Sequence, residues 1–398
     1  MRILITGLST RAIAESAAHG AEQVITLDYF GDHDQRMLVE NYALLRDFRL
    51  PFSAEALLQA SRSLDYEAVV YISNLENHPA VVEELARGRA LLGNDPAVLR
   101  QVRDWRVLRE FCRTAPFPCP TTLLPGEEGQ AVRPGGRRPN GADPEIPWLC
   151  KPVCSGGGHG IRYWDGALQP DRARILQRYI AGRPASAAFV ADGQRSVALG
   201  LTEQLIGQEE LGARDFTWCG NILPLALRRK ERAVLLQVVQ TMADQLTVSF
   251  GLRGVNGMDL VIAAGPDGSP CPFLVEVNPR YTASMELVER AYGLNVFSLH
   301  LAALRGQLPD FSLAEHLGGP FFAKGIVYAQ STATMPETAG WVEKGRRDIP
   351  YPGEQIDAGH PICTVLAEGE TRQECWEQLL AAVGAVRQEI AEAVGGSP

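Results

Sequence analysis

The sequence predicts an α/β protein of two or three domains, and three features of the chain lead to this prediction. Near the amino terminus, short apolar runs alternate with helical patterns, which is typical of parallel βαβ units. Farther along, a lysine and two acidic residues interrupt apolar strands, and a run of glycines follows the lysine. At 398 residues the chain is also too long for one small domain.

The composition excludes several classes of protein. Apolar residues make up 45% of the chain and charged residues 21%, which is ordinary for a globular protein and unlike collagen, coiled coils or disordered chains. The net charge of -9 argues against a broad nucleic-acid surface. No run reaches the roughly 18 apolar residues that a membrane span needs. Eight scattered cysteines favour free thiols over a disulfide framework, so we expect a cytoplasmic protein that binds neither nucleic acid nor membrane.

Residues 1–94 are predicted to form a small α/β domain. Its strands are short and apolar, and its first helix is rich in alanine. The breakers Gly93-Asn94-Asp95-Pro96 mark its end. The elements predicted within it are the strands Arg2–Thr6, Val24–Asp28 and Val69–Ser73 and the helix Ser9–Gly20.

Residues 95–318 are predicted to form a larger domain, with a lid subdomain at about residues 146–190. Helical signal runs from Ala97 to about Arg113. Residues 125–147 are rich in Gly, Pro and Arg without an apolar period, which predicts a loop or an insertion. The other elements predicted are the strands Trp148–Val153, Ile161–Trp164, Ile175–Ile180, Ser186–Val190, Val197–Glu203, Arg253–Ile262 and Phe273–Asn278 and the helices Glu231–Phe250, Met285–Tyr292 and Val296–Arg305.

Residues 319–398 are predicted to form a small C-terminal α/β subdomain. Strands are expected near Ala323–Ala329 and Ile362–Leu366. A long helix is expected from about Thr371 to Val394.

Lys151 lies inside an apolar strand, directly before a glycine-rich loop. Glycines let the backbone approach an anion closely, and successive N–H groups can hold phosphate oxygens. Lys151 adds a charge that can reach the same phosphates. The pattern predicts a hairpin that folds over a nucleotide, and a flexible surface hairpin is the alternative. The loop residues expected at the nucleotide are Gly156, Gly157, Gly158, His159 and Gly160.

Two acidic residues interrupt the later strands and predict a metal site. Glu276 and Asn278 are two residues apart, so their side chains project to one face of a strand. If the strands pair across the turn at residues 265–268, Asp259 lies near the same face. Carboxylate and amide oxygens suit Mg²⁺ that bridges nucleotide phosphates, and Arg280 would point into the same cleft. The alternative is that Glu276 forms a structural pair with an arginine and Asp259 belongs to a turn.

These segments resemble, in their order, the ATP-grasp superfamily. Arg178 and Asp104-Trp105-Arg106 differ from common family patterns, and the latter leaves the family's first ATP lysine either replaced by Arg106 or absent. Other segments are similar to a predicted carboligase branch that includes the tyramine–glutamate ligase of methanofuran synthesis. They are the N-terminal Gly7–Ala17 and the C-terminal Phe321–Tyr328, Asp348–Gly353 and Gly359–Val365. The matching motifs are the Lys151-Pro strand with its glycine loop, Gln177-Arg-Tyr179-Ile180-Ala-Gly182-Arg-Pro184-Ala-Ser186, Gly257-Met-Asp259-Leu-Val261 and Glu276-Val-Asn278-Pro-Arg280.

The resemblance implies an ATP-grasp fold with an N-terminal pre-ATP-grasp βαβ domain and a small C-terminal subdomain. It implies a carboxylate–amine ligase that forms ADP and phosphate through an acylphosphate, with ATP and Mg²⁺ or Mn²⁺ bound. Lys151 and Arg280 would be catalytic, and Asp259, Glu276 and Asn278 would hold the metal. The remaining residues that it places at ATP are the glycine loop, Gln177, Tyr179, Ile180 and Ser186.

Branch similarity also suggests a substrate. It points to an amino acid such as glutamate, joined to an amine in the biosynthesis of a methanofuran- or tetrahydromethanopterin-type one-carbon coenzyme. The partners expected are therefore a small carboxylate and an amine, and a homodimer is compatible with the sequence. Two other functions stay open: a carboxylase or kinase-like transfer on the same site, and a nucleotide-binding protein without catalysis.

Overall fold

The computed structural model of the protein describes residues 1–131, 146–166, 173–265, 267–316 and 318–395. Most of the predicted loop at residues 125–147 lies outside them. The parallel sheet at the amino terminus and the antiparallel sheets that follow confirm the α/β class.

The N-terminal sheet is parallel, in the strand order β3-β2-β1-β4-β5. Its predicted strands and first helix are confirmed to within a few residues. Its strands are β1 (Arg2–Thr6), β2 (Gln23–Asp28), β3 (Glu40–Ala43), β4 (Ala68–Tyr71) and β5 (Ala90–Leu91), and its helices are α1 (Arg11–Ala18), α2 (His33–Leu38), α3 (Ala54–Ser61) and α4 (Pro79–Leu85), with a π-helical turn at Leu44–Phe48 and a 3₁₀ turn at Leu75–Asn77.

The helix predicted over residues 97–113 is two helices, α5 (Pro96–Val102) and α6 (Trp105–Thr114). The break occurs because Asp104 caps α6, its side chain accepting a hydrogen bond from the Arg106 N–H at 2.8 Å. Arg103, just before the cap, therefore leaves the helical path that the sequence pattern predicts.

The segment predicted to form the lid contributes three strands to an antiparallel sheet in the order β6-β9-β7-β8, and this sheet is called the lid below. It consists of β6 (Thr122–Leu123), β7 (Trp148–Pro152), β8 (Arg162–Tyr163) and β9 (Arg174–Arg178). A small core under it contains Trp148, Cys150, Trp164 and Leu176.

The central sheet has the order β14-β13-β10-β11-β12-β15-β19-β17 and is antiparallel. It joins strands from both sides of the predicted domain boundary at residue 318, and that boundary stays a prediction. A short pair, β16 with β18, lies beside it. The remaining elements are β10 (Arg183–Asp192), β11 (Ser196–Ile206), β12 (Trp218–Leu223), α7 (Arg229–Phe250), β13 (Arg253–Ala264), β14 (Pro270–Asn278), α8 (Met285–Tyr292), α9 (Val296–Leu304), α10 (Leu313–His316), β15 (Phe321–Tyr328), β16 (Ala333–Thr334), β17 (Arg346–Arg347), β18 (Gln355–Ile356), β19 (Pro361–Gly369) and α11 (Arg372–Gly395).

Alternation along the central strands divides their side chains between the two faces of the sheet. In β10, Ala187 and Phe189 enter the core that α7 covers, whereas Ser186 points to the opposite face. Helix α7 supplies apolar side chains at helical spacing, from Leu235 to Phe250, to the same core. The opposite face carries Ser186 together with a second apolar core, to which both β10 and the N-terminal strand β1 contribute.

His300 of α9 is buried and hydrogen-bonded on both ring nitrogens. Its Nδ1 accepts from the Val255 N–H at 3.0 Å, and its Nε2 lies 3.1 Å from the Leu92 carbonyl oxygen. Burial lowers the pKa of His300 to about 4. The imidazole therefore stays neutral and joins the N-terminal domain to β13.

This buried histidine predicts acid sensitivity of the fold. Unfolded His300 titrates near its ordinary value of 6.5, so the unfolded state binds the extra proton between pH 6.5 and about 4. The contribution of neutral His300 to the free energy of unfolding is therefore fully present above pH 6.5. It decreases as the pH falls, by at most about 3 kcal/mol. We expect the difference in urea midpoint between wild type and His300→Asn to shrink from pH 7.5 to 5.0. A constant difference would contradict this assignment.

Cys112 and Cys119 are joined in a disulfide, a single local pair and not the framework that the sequence disfavours. The cysteines lie at the end of α6 and in the proline-rich segment after it, and the turn between them brings their Cα atoms to 5.9 Å. The other six cysteines are free. Among the helices of the described residues, none combines the length and apolarity that crossing a membrane requires.

Candidate active site

Strands β13 and β14 bring the predicted metal ligands together. They pair in the register that places Asp259 opposite Glu276 and Gly257 opposite Asn278. The Asn278 amide donates to Asp259 Oδ2 at 3.1 Å, and the Gln204 amide donates to Asp259 Oδ1 at 2.9 Å. Gln204 lies on β11, which β10 separates from β13, so its side chain reaches Asp259 across one intervening strand.

The two carboxylates lie close enough to affect each other's ionisation. Burial, and then the charge of Glu276, raise the pKa of Asp259 to about 6. Burial also disfavours ionised Glu276, but the charges of Arg103 and Lys151 outweigh it and lower the pKa of Glu276. Two facing acids of this kind gain from a cation between them.

The donor set fits a hard divalent cation. It consists of two carboxylates and one amide. Among the described residues, no three acidic, histidine or cysteine side chains lie together as a metal-binding cluster. Mg²⁺ often binds through one or two carboxylates and keeps several waters and substrate phosphates. Asp259 and Glu276 can therefore hold it, with the Asn278 oxygen beside them.

Arg280 follows directly at the end of β14. Its Nε lies 2.7 Å from Glu76 Oε1, and its Nη1 donates to the Tyr281 carbonyl oxygen at 3.0 Å. Glu76 belongs to the segment after β4, at the carboxyl edge of the parallel sheet. In the same segment, Glu76 Oε2, Asn74 Oδ1 and Asn77 Nδ2 are buried without a hydrogen-bond partner among the described residues. The N-terminal domain thus contributes polar groups beside Arg280.

Lys151 of β7 faces these acids from the lid. Its side chain is 5% exposed, and Nζ donates to Gln177 Oε1 at 3.0 Å. Burial lowers the pKa of Lys151, and the charges of Glu276 and Asp259 oppose that shift. The Trp105 ring lies under the ammonium, with Nζ 5.5 Å from the ring centroid. An ammonium with one protein hydrogen bond retains donors for an anionic ligand.

The glycine loop rests against the segment before β12. The Trp218 N–H donates to the Gly157 carbonyl oxygen at 3.0 Å. Gly158 has φ +78°, and a Cβ there would lie 1.8 Å from the Phe216 carbonyl oxygen, so only glycine fits. His159 and Gly160 are exposed at the tip of the loop. The loop is therefore held in place by a contact with a distant part of the chain.

The residues expected at the adenine lie between the lid and the central sheet. Tyr179 contacts Tyr163 edge to face at 5.8 Å, and Tyr163 contacts Phe216 at 5.3 Å. The Tyr179 N–H donates to the Pro147 carbonyl oxygen, so it is engaged within the lid. Ile180 is half-buried beside it.

One domain of the chain matches a known family. A sequence model of the ATP-grasp domain matches residues 107–284. The chain contains an ATP-grasp domain. This confirms the resemblance at the level of the superfamily, whereas the carboligase branch stays a prediction.

Solved structures support the same ATP-grasp fold over nearly the whole chain. The biotin carboxylase–beta-gamma-ATP complex from Campylobacter jejuni is 14% identical, with a TM-score of 0.70, over 95% of this chain and 91% of that chain. The biotin carboxylase domain dimer of 2-oxoglutarate carboxylase from Hydrogenobacter thermophilus, in complex with MgADP, ADP and bicarbonate, is 15% identical, with a TM-score of 0.69, over 98% and 89%. An L-amino acid ligase from Bacillus licheniformis is 15% identical, with a TM-score of 0.66, over 97% of both chains. At these identities the likeness shows the fold alone.

Ser186 is buried on β10, opposite Asp259 in the register of β10 and β13. Its hydroxyl is 3.0 Å from Thr202 Oγ1 and 3.4 Å from Ser284 Oγ, and the residue is 7% exposed. Thr202 in turn accepts from the Asn221 amide at 2.9 Å. Its contact with ATP stays a prediction, and in this structure it belongs to a hydrogen-bonded network under the site.

Sequence reasoning missed Arg103, whose Nη1 donates to Glu276 Oε1 at 2.6 Å. The sequence left open that Glu276 forms an ion pair with an arginine, and the structure contains such a pair. Arg106, named from the sequence as a substitute for the family's first lysine, is exposed on α6. The single available signal for Arg103 was the capping residue Asp104, which ends the preceding helix beside it.

Proposed function

We propose that this protein is an ATP-dependent carboxylate–amine ligase. The observation that carries the proposal is the position of Lys151, buried on the lid and within the field of Asp259 and Glu276 on the sheet. An ATP-grasp domain with both acids, the amide and the glycine loop in place has the groups that Mg-ATP binding requires. Mg²⁺, or Mn²⁺ in its place, supplies charge that offsets the charge developing on the phosphates.

The proposed reaction has two steps. An oxygen of the substrate carboxylate attacks the γ-phosphorus of ATP, the bond from this phosphorus to the β,γ-bridging oxygen breaks, and ADP leaves. The amine nitrogen then attacks the acyl carbon of the acylphosphate, inorganic phosphate leaves with the bridging oxygen, and the nitrogen loses a proton. Phosphoryl transfer needs mainly positioning and charge neutralisation from the protein.

The predicted residues that act on ATP and the substrates have the following roles. Lys151 binds the phosphates, and the glycine loop covers them and excludes water that would hydrolyse the acylphosphate. Arg280 holds the acylphosphate or the carboxylate of the second substrate. Gln177 positions Lys151, and Tyr179 and Ile180 contact the adenine.

The substrates follow from branch similarity. We propose an amino acid such as glutamate as the acid and a small amine as its acceptor, in a one-carbon coenzyme pathway. We also place the reaction in the cytoplasm. A homodimer stays a prediction.

The test is ADP release from Mg-ATP with pools of amino acids and small carboxylates, with and without hydroxylamine. Hydroxylamine traps an acylphosphate as a hydroxamate, so a hydroxamate from one pool identifies the acid. The expected result is ADP and hydroxamate in equal amounts from one pool. ADP release that depends on an acid but never gives a hydroxamate would contradict an acylphosphate intermediate.

Carboxylation is the second candidate, because two of the similar structures are biotin carboxylases. That reaction would make ADP release depend on bicarbonate and not on an amine. The assay therefore includes bicarbonate-free buffer as one arm. A requirement for bicarbonate would replace the ligase proposal with the carboxylase one.

A further inference from the structure

We propose that Arg103 is a further catalytic residue, whose guanidinium contacts the γ-phosphoryl group of ATP while it holds Glu276. This inference rests on the proposed use of Mg-ATP at this site, but it does not depend on which acid or amine reacts. The sequence patterns suggest Arg106 as the cation that contacts ATP in this region. We assign such a contact to Arg103, which directly follows α5.

Arg103 lies where the N-terminal domain meets the central sheet. Its Nε donates to Asn77 Oδ1 at 2.9 Å. Its Nη1 donates to Glu276 Oε1 at 2.6 Å and to the Val277 carbonyl oxygen at 2.9 Å. The side chain is 9% exposed, so these three contacts fix the plane of the guanidinium.

The second terminal nitrogen is available for a ligand. Nε and Nη1 account for the hydrogen bonds that Arg103 makes within the described part of the chain, which leaves both N–H groups of Nη2 unused. Several buried nitrogen and oxygen atoms of the described residues lack a hydrogen-bond partner, but Nη2 of Arg103 is not one of them. Since Nη2 makes no hydrogen bond there, it is accessible to solvent. A fixed guanidinium with two free donors is suited to bidentate capture of phosphate.

The charges around Arg103 show which part of the nucleotide it can reach. Glu276, a candidate metal ligand, lies on one side, and Lys151 on the lid is near enough for the charge of Arg103 to lower the pKa of that lysine. The thiol of Cys154, at the start of the glycine loop, lies in its field as well. The charges near Arg103 are thus those of a candidate metal ligand, the predicted phosphate lysine, the start of the glycine loop and Glu76. This placement favours the terminal phosphate.

The two neighbouring arginines provide matched controls. Arg100, one turn earlier on α5, is exposed and pairs with Glu83. Arg106, on the first turn of α6, is exposed as well. The three side chains have equal charge and size, and they differ in whether they face Glu276.

The experiment measures nucleotide affinity by calorimetry, with Mg-ADP and with the non-hydrolysable Mg-AMPPNP. For Arg103→Met we expect a loss of roughly tenfold or more in AMPPNP affinity, with ADP affinity within about threefold of wild type. Arg100→Met and Arg106→Met are expected to leave both affinities unchanged. If Arg103→Met does not fold, Arg103→Lys serves instead, since one ammonium cannot hold both Glu276 and a phosphate.

The comparison of the two nucleotides separates contact from structural support. Equal loss of ADP and AMPPNP affinity in the Arg103 variants would overturn the proposal, because it would indicate a distorted site. No loss of either would overturn it too, as would a selective loss in Arg106→Met alone. A loss of AMPPNP affinity without a loss of ADP affinity in Arg103→Met would support the contact even if no acid pool gives a hydroxamate. The two proposals can therefore fail independently of each other.

Discussion

Replacing Asp259 with asparagine is expected to lower turnover by roughly 10²–10³-fold or more while the protein stays folded. The amide is nearly isosteric and can still accept a hydrogen bond from Gln204 or Asn278. It lacks the charge that holds a divalent cation opposite Glu276. Glu276→Gln is expected to have an effect of the same size, because it removes the second carboxylate of the pair.

Two measurements check this prediction. The first is the rate of ADP release at saturating ATP across a range of Mg²⁺ concentrations. The second is the thermal stabilisation by ATP with and without Mg²⁺, since a ligand that binds only the native state raises stability. We expect the Mg²⁺-dependent part of that stabilisation to disappear in both variants.

A control for Asp259→Asn lies on the same hairpin. Asp267, in the turn between β13 and β14, is exposed and accepts a hydrogen bond from the Ser269 N–H at 3.0 Å. Asp267→Asn removes one acid from the same pair of strands without touching the site. We expect the control to keep turnover within about threefold of wild type. If Asp259→Asn does so as well, Asp259 is not a metal ligand.

The stability of Asp259→Asn provides a further check on the burial argument. Burial and the neighbouring Glu276 raise the pKa of Asp259, so its ionised form costs stability near neutral pH when no cation is bound. The neutral amide avoids that cost. We therefore expect Asp259→Asn to melt at the temperature of the metal-free wild type or above it.

The metal-ligand pair could be predicted from the sequence because local rules determine it. Strand side chains alternate between faces, and the Gly-rich turn at residues 265–268 pairs two consecutive strands. Together these rules place Asp259 near Glu276, as the observed register does. The same local reasoning predicted the helix Met285–Tyr292 with its observed ends.

Features that depend on distant contacts could not be predicted in this way. Arg103 reaches Glu276 across 173 residues of sequence. The requirement for glycine at position 158 comes from Phe216 in a separate segment. Alternation places Ser186 on the face opposite α7 but does not reveal that Thr202 and Ser284 contact it. A single sequence shows which residues are available for such contacts, but it does not show which of them pair in the folded protein.

Lys151→Met is expected to raise the KM for ATP by roughly tenfold to a hundredfold, with a smaller change in kcat. A hydrogen bond from a charged group contributes about 1.5–3 kcal/mol, and about 1.4 kcal/mol corresponds to a factor of ten in affinity. Methionine keeps the length of the apolar stem that packs in the lid, so the loss is confined to the ammonium and its contact with Gln177. The measurement is the initial rate of ADP formation over a range of ATP concentrations.

Lys344 provides the comparison, because it is one of four lysines in the chain and pairs with Glu389 on the surface at 3.0 Å. Lys344→Met should leave the ATP kinetics unchanged. If Lys151→Met also leaves them unchanged, the ammonium makes no contact with phosphate, and its burial beside Asp259 and Glu276 serves to balance those two charges. In that case Lys151→Met should instead weaken folding, because two buried carboxylates would lose a compensating cation. A raised KM in a variant with an unchanged melting temperature therefore separates the binding role from the structural one.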